Sequence, residues 1–302
     1  MQPQTAPGPK FAPFAGWTAI CSLAFAKPLI ATLGYALHND SASHILLIPF
    51  IFAFLLYAEH RTMTRGQIDF AAAFCFLVPG VFLAVLALRP PSRLNFGNIP
   101  LSISILAFVL FVIAGFVAIY GRKIAARMSF SLAFLIFFVP IPEPILNRTI
   151  YFLQVGSADI AEWFFDLTGT PALRQGFVFH LPTISIEVAQ ECSGIRSSLA
   201  LLILALLVAH FTFSKTWKKL LFVFAGLVIM VVKNGIRIAT LTILANNVNP
   251  DFLYGHLHRD GGVVFFLVGL ALLWPVYWLL RRGDRQPAPA VPAAQRAAPS
   301  RN

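Results

Sequence analysis

Charged side chains are scarce in this sequence. They make up 12% of the 302 residues, whereas soluble globular proteins average about 25%. Apolar types make up 58%, and the mean hydropathy is +0.77. Such a composition excludes a disordered chain and argues against an ordinary soluble enzyme. It favours a protein that crosses a membrane several times.

Acidic residues are the rarer charge class. The chain has 12 Asp and Glu against 23 Lys and Arg, a formal net charge of +11. A surplus of this size could indicate a nucleic-acid partner, but the basic residues lie in short clusters between apolar runs. That arrangement is typical of membrane proteins. We therefore expect a lipid bilayer, and no nucleic acid, as a partner.

Cysteine is rare as well. Cys21, Cys75 and Cys192 lie too far apart in sequence for the spacing of a metal site or a disulfide. We interpret Cys21 and Cys75 as small buried apolar side chains. The sequence also lacks a glycine-rich phosphate loop, a zinc motif, a pair of catalytic carboxylates and a GxSxG elbow. Its first 15 residues lack the strongly basic start of a signal peptide. We expect no cofactor and no metal.

Long apolar runs dominate the rest of the chain. A hydrocarbon core of about 30 Å needs about 20 apolar residues in a helix. The sequence predicts an all-α polytopic membrane protein with about eight transmembrane helices, a small amphipathic helix on the outer face and a short β-hairpin before the sixth span. The predicted spans are 16–36, 44–58, 69–88, 99–120, 128–146, 193–212, 219–245 and 262–280.

Lys and Arg counting predicts the orientation. With the N-terminus in the cytoplasm, 14 Lys and Arg fall in inner regions and five in outer loops. This bias favours cytoplasmic N- and C-termini, although the 89–98 loop carries two arginines on the outer side. The Pro/Ala-rich tail from Gly283 predicts a disordered cytoplasmic end.

The longest segment outside the membrane is the outer loop 147–192. Its first part has helical apolar spacing, which predicts an amphipathic helix on the outer surface. Alternating apolar residues around Pro182 and Thr183 then predict a hairpin that leads into Cys192. The apolar positions of the helix are Ile150, Leu153, Ile160, Trp163, Phe164 and Leu167. The alternating positions of the hairpin are Val178, His180, Ile184, Ile186 and Val188.

Cys192 is a candidate nucleophile at the outer start of the sixth span. A helix N-terminus favours the thiolate, and Arg196, one predicted helical turn away on the same face, acts in the same direction. Glu191 opposes this effect unless it is paired. The alternative is a small buried apolar cysteine.

Arg237 is a candidate for binding negative charge inside the seventh span. An ionisable group at this depth is costly and should face the protein interior or a wet cavity. Lys233 lies four residues earlier on the same face, with Asn234 between them. The alternative role is a structural anchor that binds backbone carbonyls or lipid phosphate.

His258, in the outer loop before the eighth span, is a candidate proton carrier that Asp260 or Glu191 could orient. A solvated loop histidine is the alternative, and His256 and His180 are other candidates. His210 lies near the inner end of its helix. A thiol, a cation and an imidazole on one face meet the requirements of acyl transfer.

Three motifs resemble those of the exosortase/archaeosortase family of membrane transpeptidases. They are Glu191-Cys192-Ser193-Gly194-Ile195-Arg196-Ser197, then Asn234-Gly235-Ile236-Arg237-Ile238, then His258 followed by Gly262 and Phe265. The Val-Phe-His-Leu-Pro…Ile-Glu-Val hairpin also resembles the family's lead-in to its cysteine. The resemblance mainly covers residues 130–280.

The resemblance implies a cysteine transpeptidase/protease at the outer face of the cytoplasmic membrane. Its substrates would be exported proteins with a C-terminal signal: a short motif such as Pro-Glu-Pro, a transmembrane helix and a basic cluster. Cys192 would form the acyl-thioester and Arg237 would match the family's essential arginine. His258 would be the third residue. The roles of Arg237 and His258 could be exchanged, and Glu191, Ser193, Gly194, Arg196 and Asn234 would support them.

This interpretation divides the chain into a cytoplasmic segment 1–15, N-terminal helices 1–4 over 16–127, a catalytic core over 128–282 and a tail over 283–302. Two other classes stay open. One is a transporter or channel with an anion path lined by Lys233, Arg237 and Arg196, and the other is an assembly subunit without catalysis. The sequence does not identify the substrate's motif, the acceptor or the oligomeric state.

Overall fold

The computed structural model describes residues 11–60, 68–189, 194–249, 252 and 262–282. These residues fold as two compact units, 1–154 and 155–302. Among the described residues, six helices are long and apolar enough to cross a membrane, and the number of spans rises to eight if each of two bent helix pairs counts as one span. The prediction of an all-α polytopic membrane protein with about eight spans is confirmed.

The first unit consists of helices joined by short turns and loops, with no strand among its described residues. Asp69 caps one of its long helices, because its carboxylate accepts a hydrogen bond from the Ala72 backbone N–H at 3.0 Å. The helices are α1 (Phe11–Ala24), α2 (Ala26–His38), α3 (Ile48–Ala58), α4 (Phe70–Leu88), α5 (Ile99–Tyr120), α6 (Arg122–Arg127), α7 (Ser129–Phe134) and the start of α8 (Glu143–Thr168), with 3₁₀ turns at Asp40–Leu47, Ser92–Leu94 and Leu135–Phe138.

Two predicted spans are not single straight helices. The predicted span 16–36 consists of α1 and α2, which are bent by 82°. Pro28 explains the break, because proline has no N–H to donate to the carbonyl of Ala24. The predicted span 128–146 likewise ends at Phe138, and the chain turns by 93° into α8. Pro140 and Pro142 lie in that turn, where they prevent a continuous helix.

Cys75 corrects a second expectation. Cys21 is buried as predicted, but Cys75 is exposed on α4. Apolar residues of α4 such as Phe74, Val78 and Phe82 are exposed as well. In a membrane-spanning helix such a face suits lipid, so an apolar thiol there needs no protein around it.

The second unit combines the end of α8 with a small sheet and three long helices. The predicted hairpin is present, and a third strand that the sequence pattern did not reveal precedes it. The strands β1 (Leu173–Gln175), β2 (Val178–His180) and β3 (Ser185–Glu187) pair antiparallel in that order. The helices are α9 (Ile195–Thr212), α10 (Thr216–Asn247) and α11 (Gly262–Arg282).

The faces of the outer-loop elements differ in part from the prediction. In β2 the buried side chain is Phe179, and Val178 and His180 flank it in half-buried positions. Its cross-strand partner is Ile186, which lies on the apolar face predicted for the second hairpin strand. In α8, Ile150 and Leu153 of the predicted apolar positions are buried, whereas Trp163 and Leu167 are exposed.

Small residues form much of the buried side of α8. Its buried side includes Ser157, Ala158, Ala161 and Phe165. Alanine and serine are weak signals in an apolar pattern, but they allow close helix packing. The prediction that this helix lies on the outer membrane surface stays a prediction.

Candidate active site

The middle of α10 carries polar side chains that are almost fully buried. Lys233 and Asn234 are each only 1% exposed, and Arg237, one turn later, is half-buried. Polar groups in such a position need partners within the protein, because hydrocarbon offers none. The partners of Lys233 and Asn234 therefore show which parts of the chain this helix holds together.

Lys233 contacts the start of α9. Its ammonium donates a hydrogen bond to the hydroxyl of Ser197, in the first turn of that helix. The hydrocarbon stem of Lys233 packs beside α11, where a Cβ on Gly269 would lie 3.3 Å from the lysine Cδ. Three helices thus meet at this side chain.

Asn234 connects α10 with α8 and with the residue before α9. Its amide Nδ2 donates a hydrogen bond to the Ser157 hydroxyl at 2.9 Å. Its Oδ1 occupies the space beside Gly194, where an added Cβ would approach to 2.5 Å. The side chain of Asn234 therefore fixes the backbone just before α9.

Two features of the structure require a glycine at position 194. Its φ is +69°, a left-handed conformation that side-chain-bearing residues rarely adopt, and Asn234 leaves no room for a Cβ. Its carbonyl accepts hydrogen bonds from the Ser198 N–H at 2.9 Å and from the Ser197 hydroxyl at 3.1 Å. The turn into α9 is thus fixed from both sides.

Close packing of α8 against α10 depends on two further glycines. A Cβ on Gly235 would collide with Ile160 and lie 3.1 Å from the Ser157 carbonyl oxygen. A Cβ on Gly156 would lie 2.7 Å from Val231. The two backbones can approach only because these residues have no side chain.

The sheet, which precedes the cysteine motif in the chain, packs against the same part of α10. One core cluster contains Phe179, Val188, Ile238 and Ala239 together with residues of α8. The hairpin turn also reaches the end of α10, because the Thr183 hydroxyl donates to Asn246 Oδ1 at 2.6 Å. The chain before the cysteine motif is therefore held against α10 near Arg237.

An ion-pair group joins the sheet to α8. Arg174 Nη1 lies 2.7 Å from both Asp159 Oδ1 and Glu162 Oε2. Burial lowers the pKa of Arg174, but the hydrogen bonds and charges of the two carboxylates outweigh it, so that the pKa rises above its ordinary value. These acidic residues neutralise a structural cation.

Half of the predicted site residues can be placed. Gly194, Arg196, Asn234 and Arg237 are described, and Gly194 contacts Asn234, one turn from Arg237 on α10. Glu191, Cys192, Ser193, His256 and His258 lie outside the described residues, so their roles stay predictions.

The start of α9 differs from its prediction. The helix begins at Ile195, two residues later than predicted, and the left-handed Gly194 precedes it. Cys192 lies outside the described residues, so the expectation that Arg196 acts on its thiol stays a prediction. Arg196 is also exposed.

The remaining histidines lie in different places. His180 forms a cross-strand contact, with Nδ1 2.9 Å from the Ser185 hydroxyl. His210 is in the last turn of α9, about 24 Å along the helix from Gly194. Within the described ranges, no group of His, Cys, Asp and Glu is arranged to hold a metal ion.

The contacts of Ser157 and Ser197 were not predicted from the sequence. Ser197 is the last residue of the cysteine motif but was given no role, and Ser157 lies in none of the motifs. The available signal was the cost of burying Lys233 and Asn234, which requires polar partners on neighbouring helices.

The fold and these buried contacts define a polytopic membrane protein in which the Gly194 turn and α10 are joined. The family model for transmembrane exosortases matches residues 36–275, which is most of the chain. No curated protein and no solved structure matches it. The chain belongs to the transmembrane exosortase family, and this membership supports the role of a sorting enzyme with protein substrates in a membrane.

The turn at Gly194 generates a testable prediction. Gly194→Ala should lower the stability of the folded protein by more than the cost of about 1–2 kcal/mol for a left-handed residue with a Cβ, because Asn234 also blocks the side chain. The measurement is the thermal unfolding midpoint of the purified protein in detergent.

Gly176→Ala is the matched control. Gly176 has a φ of +63° but no neighbouring atom within 4 Å of an added Cβ, so this variant should show the conformational cost alone. Removing the obstructing side chain in Gly194→Ala/Asn234→Ala should recover part of the difference. Equal destabilisation by the two single alanine variants would contradict the packing explanation.

Proposed function

We propose that this exosortase is a cysteine transpeptidase or protease that cleaves the C-terminal sorting signal of exported proteins through an acyl-thioester on Cys192. The signal would comprise a short Pro-Glu-Pro-like motif, a transmembrane helix and a basic cluster. The observation that carries the proposal is the contact between Gly194 of the cysteine motif and Asn234 of the arginine motif.

Covalent geometry brings the cysteine close to that contact. Two peptide units separate Cys192 from Gly194, so their Cα atoms lie within about 7 Å of each other. Gly194 packs on Asn234, and Val188 shares a core cluster with Ile238. Both contacts on α10 are within one helical turn of Arg237. The chain that carries Cys192 is therefore anchored to α10 before and after the cysteine, close to the arginine.

The proposed reaction has two steps. The Cys192 thiolate attacks the substrate's carbonyl carbon, and the resulting oxyanion returns to a carbonyl as the C–N bond breaks and the leaving amine takes a proton. An acceptor amine or hydroxyl, or water, then attacks the thioester carbon, the C–S bond breaks and the thiolate is restored.

Arg237 and His258 supply the two remaining requirements. A guanidinium keeps its charge and suits the oxyanion, whereas an imidazole readily transfers protons. We therefore propose Arg237 as the oxyanion clamp and His258 as the proton shuttle, although the two roles could be exchanged. Glu191, Ser193, Arg196 and Asn234 would support these groups.

We place the protein in the cytoplasmic membrane with both termini in the cytoplasm and the active site on the outer side. The support is the excess of Lys and Arg in the regions assigned to the inside. Arg237 lies in the half of α10 that this count assigns to the outer side, because it precedes the end of the helix by ten residues, or about 15 Å.

The contacts of Lys233 argue against an anion path. A path would require Lys233, Arg237 and Arg196 to face one wet channel. Instead Lys233 is 1% exposed and donates to Ser197, whereas Arg196 is exposed. Lys233 therefore has a partner within the protein. Lys233 and Arg196 differ in solvent exposure, whereas residues that line one pore would both be exposed to it.

The nucleophile is tested by substitution. Cys192→Ala should abolish the processing of a tagged substrate that carries the C-terminal signal, because no other group would form the thioester. Processing is measured by the shift of the tagged protein on a gel in cells that lack the native enzyme. Cys75→Ala is the control and should process normally, since Cys75 lies on the exposed face of α4. Normal processing by Cys192→Ala would refute the proposed function.

The orientation is tested by cysteine labelling in a variant whose three native cysteines are alanine. Leu173→Cys, at an exposed position of β1, should react with a membrane-impermeant maleimide added to intact cells or spheroplasts. Trp217→Cys, at the exposed start of α10, should react only after permeabilisation. The reverse pattern would show that the topology is inverted.

A further inference from the structure

We propose that Lys233 and Ser197 are positioning residues that hold the backbone next to Cys192 through a hydrogen-bond relay ending on the Gly194 carbonyl. This inference rests on the proposed function of Cys192 as the nucleophile, and it assigns a task to a buried cation outside the three proposed catalytic residues. The relay runs from α10 to α9 and then to the turn before α9.

The direction of the relay follows from the donors. A charged ammonium donates hydrogen bonds and accepts none, so the Ser197 oxygen accepts from Lys233. The single hydroxyl proton of Ser197 is then directed at the Gly194 carbonyl oxygen, 3.1 Å away. The charge at one end strengthens the second hydrogen bond by polarising the hydroxyl.

The position of this charge has no simple helix-capping explanation. Lysine commonly stabilises the carbonyls at a helix C-terminus, and Lys218 of the same helix does so by donating to the Leu280 carbonyl at 2.7 Å near the end of α11. Lys233 instead contacts the N-terminal turn of α9, where the helix dipole disfavours a cation. We therefore assign the effect of Lys233 on this turn to its hydrogen bond with the Ser197 hydroxyl.

The relay acts on the most constrained point of the cysteine motif. Gly194 already has a left-handed backbone and lies against Asn234. With its carbonyl fixed by the Ser197 hydroxyl and the Ser198 N–H, the plane of the peptide bond that follows Gly194 is fixed as well. Cys192 precedes Gly194 by two residues, so this turn gives the cysteine motif a fixed attachment point on α9.

A serine beside a lysine could also be a nucleophile with its base. In that arrangement a neutral lysine would accept the serine proton. A charged Lys233 has no lone pair to accept that proton, and the Gly194 carbonyl oxygen, 3.1 Å from the Ser197 hydroxyl, can accept its hydrogen bond. Ser197 is therefore assigned to positioning, and the nucleophile alternative becomes one outcome of the test.

The test measures kcat and KM of the full chain in proteoliposomes with a purified tagged substrate. Lys233→Met and Ser197→Ala should each lower kcat by about tenfold, the effect of losing one charge-assisted hydrogen bond at a reacting geometry, with KM within about twofold. The double variant should be no slower than the slower single variant, because both changes break the same relay. Ser197→Thr keeps the hydroxyl and should restore most of the rate.

Lys218→Met is the matched control. It removes another buried ammonium from α10 but leaves the Gly194 turn intact, so kcat should stay near that of the unmodified protein. A fall in kcat equal to that of Lys233→Met would assign the effect to general loss of a buried charge and overturn the inference. Multiplicative effects of Lys233→Met and Ser197→Ala, or no effect of either, would overturn it too.

A second readout does not depend on catalysis. Hydrogen exchange of the peptide that contains Ser198 should be about tenfold faster in Lys233→Met and Ser197→Ala, because the Gly194 carbonyl loses its fixed orientation. If Cys192→Ala still processes substrate but exchange is faster in both relay variants, the proposed function fails and the relay stands. If Cys192→Ala loses processing but exchange is unchanged in the relay variants, the proposed function stands and the relay fails. Complete loss of processing in Ser197→Ala and normal processing in Cys192→Ala would make Ser197 the nucleophile.

Discussion

The burial of Lys233 and Asn234 in the middle of α10 is the constraint on which the second unit depends. A charged and a polar side chain within a membrane-spanning helix are stable only when other parts of the chain provide hydrogen bonds. Ser197 accepts a hydrogen bond from Lys233 and Ser157 accepts one from Asn234, whose Oδ1 also packs beside Gly194. The need to satisfy two adjacent residues thus brings together α8, α10 and the start of α9.

This constraint also accounts for the small residues around the cluster. Gly235 and Gly156 allow α8 and α10 to approach, and Gly269 makes room for the stem of Lys233. On the other side of the cysteine motif, Phe179 and Val188 hold the sheet against α8 and α10. A nucleophile between two such anchors would be presented by rigid elements, which is what a positioned acyl-transfer reaction requires.

The sequence predicted what depends on long apolar runs and failed where single residues decide. The span 99–120 has the predicted bounds because an uninterrupted apolar run leaves no alternative to a helix. The bends near Pro28 and Pro140 were missed because the apolar pattern continues across them. The hairpin was found from its alternation, but the short strand β1 has little alternation to detect.

In the candidate site, too, the motifs selected some residues correctly, but features that depend on single residues were missed. Gly194, Asn234 and Arg237 were selected from motifs, and the structure places Gly194 against Asn234. The start of α9 was placed two residues too early, because it depends on one left-handed glycine that spacing alone does not reveal. The contacts of Ser157 and Ser197 could not be predicted, since each is made with a residue that is distant in sequence.

The central claim is that Cys192 carries the acyl intermediate. The most direct measurement is mass spectrometry of the enzyme after a short reaction with a substrate and rapid acid quenching. The account predicts a peptide containing Cys192 whose mass is increased by the substrate's new carboxyl end, with the adduct removed by hydroxylamine. An adduct on another residue, or turnover without any adduct on Cys192 under conditions that trap thioesters, would contradict the account.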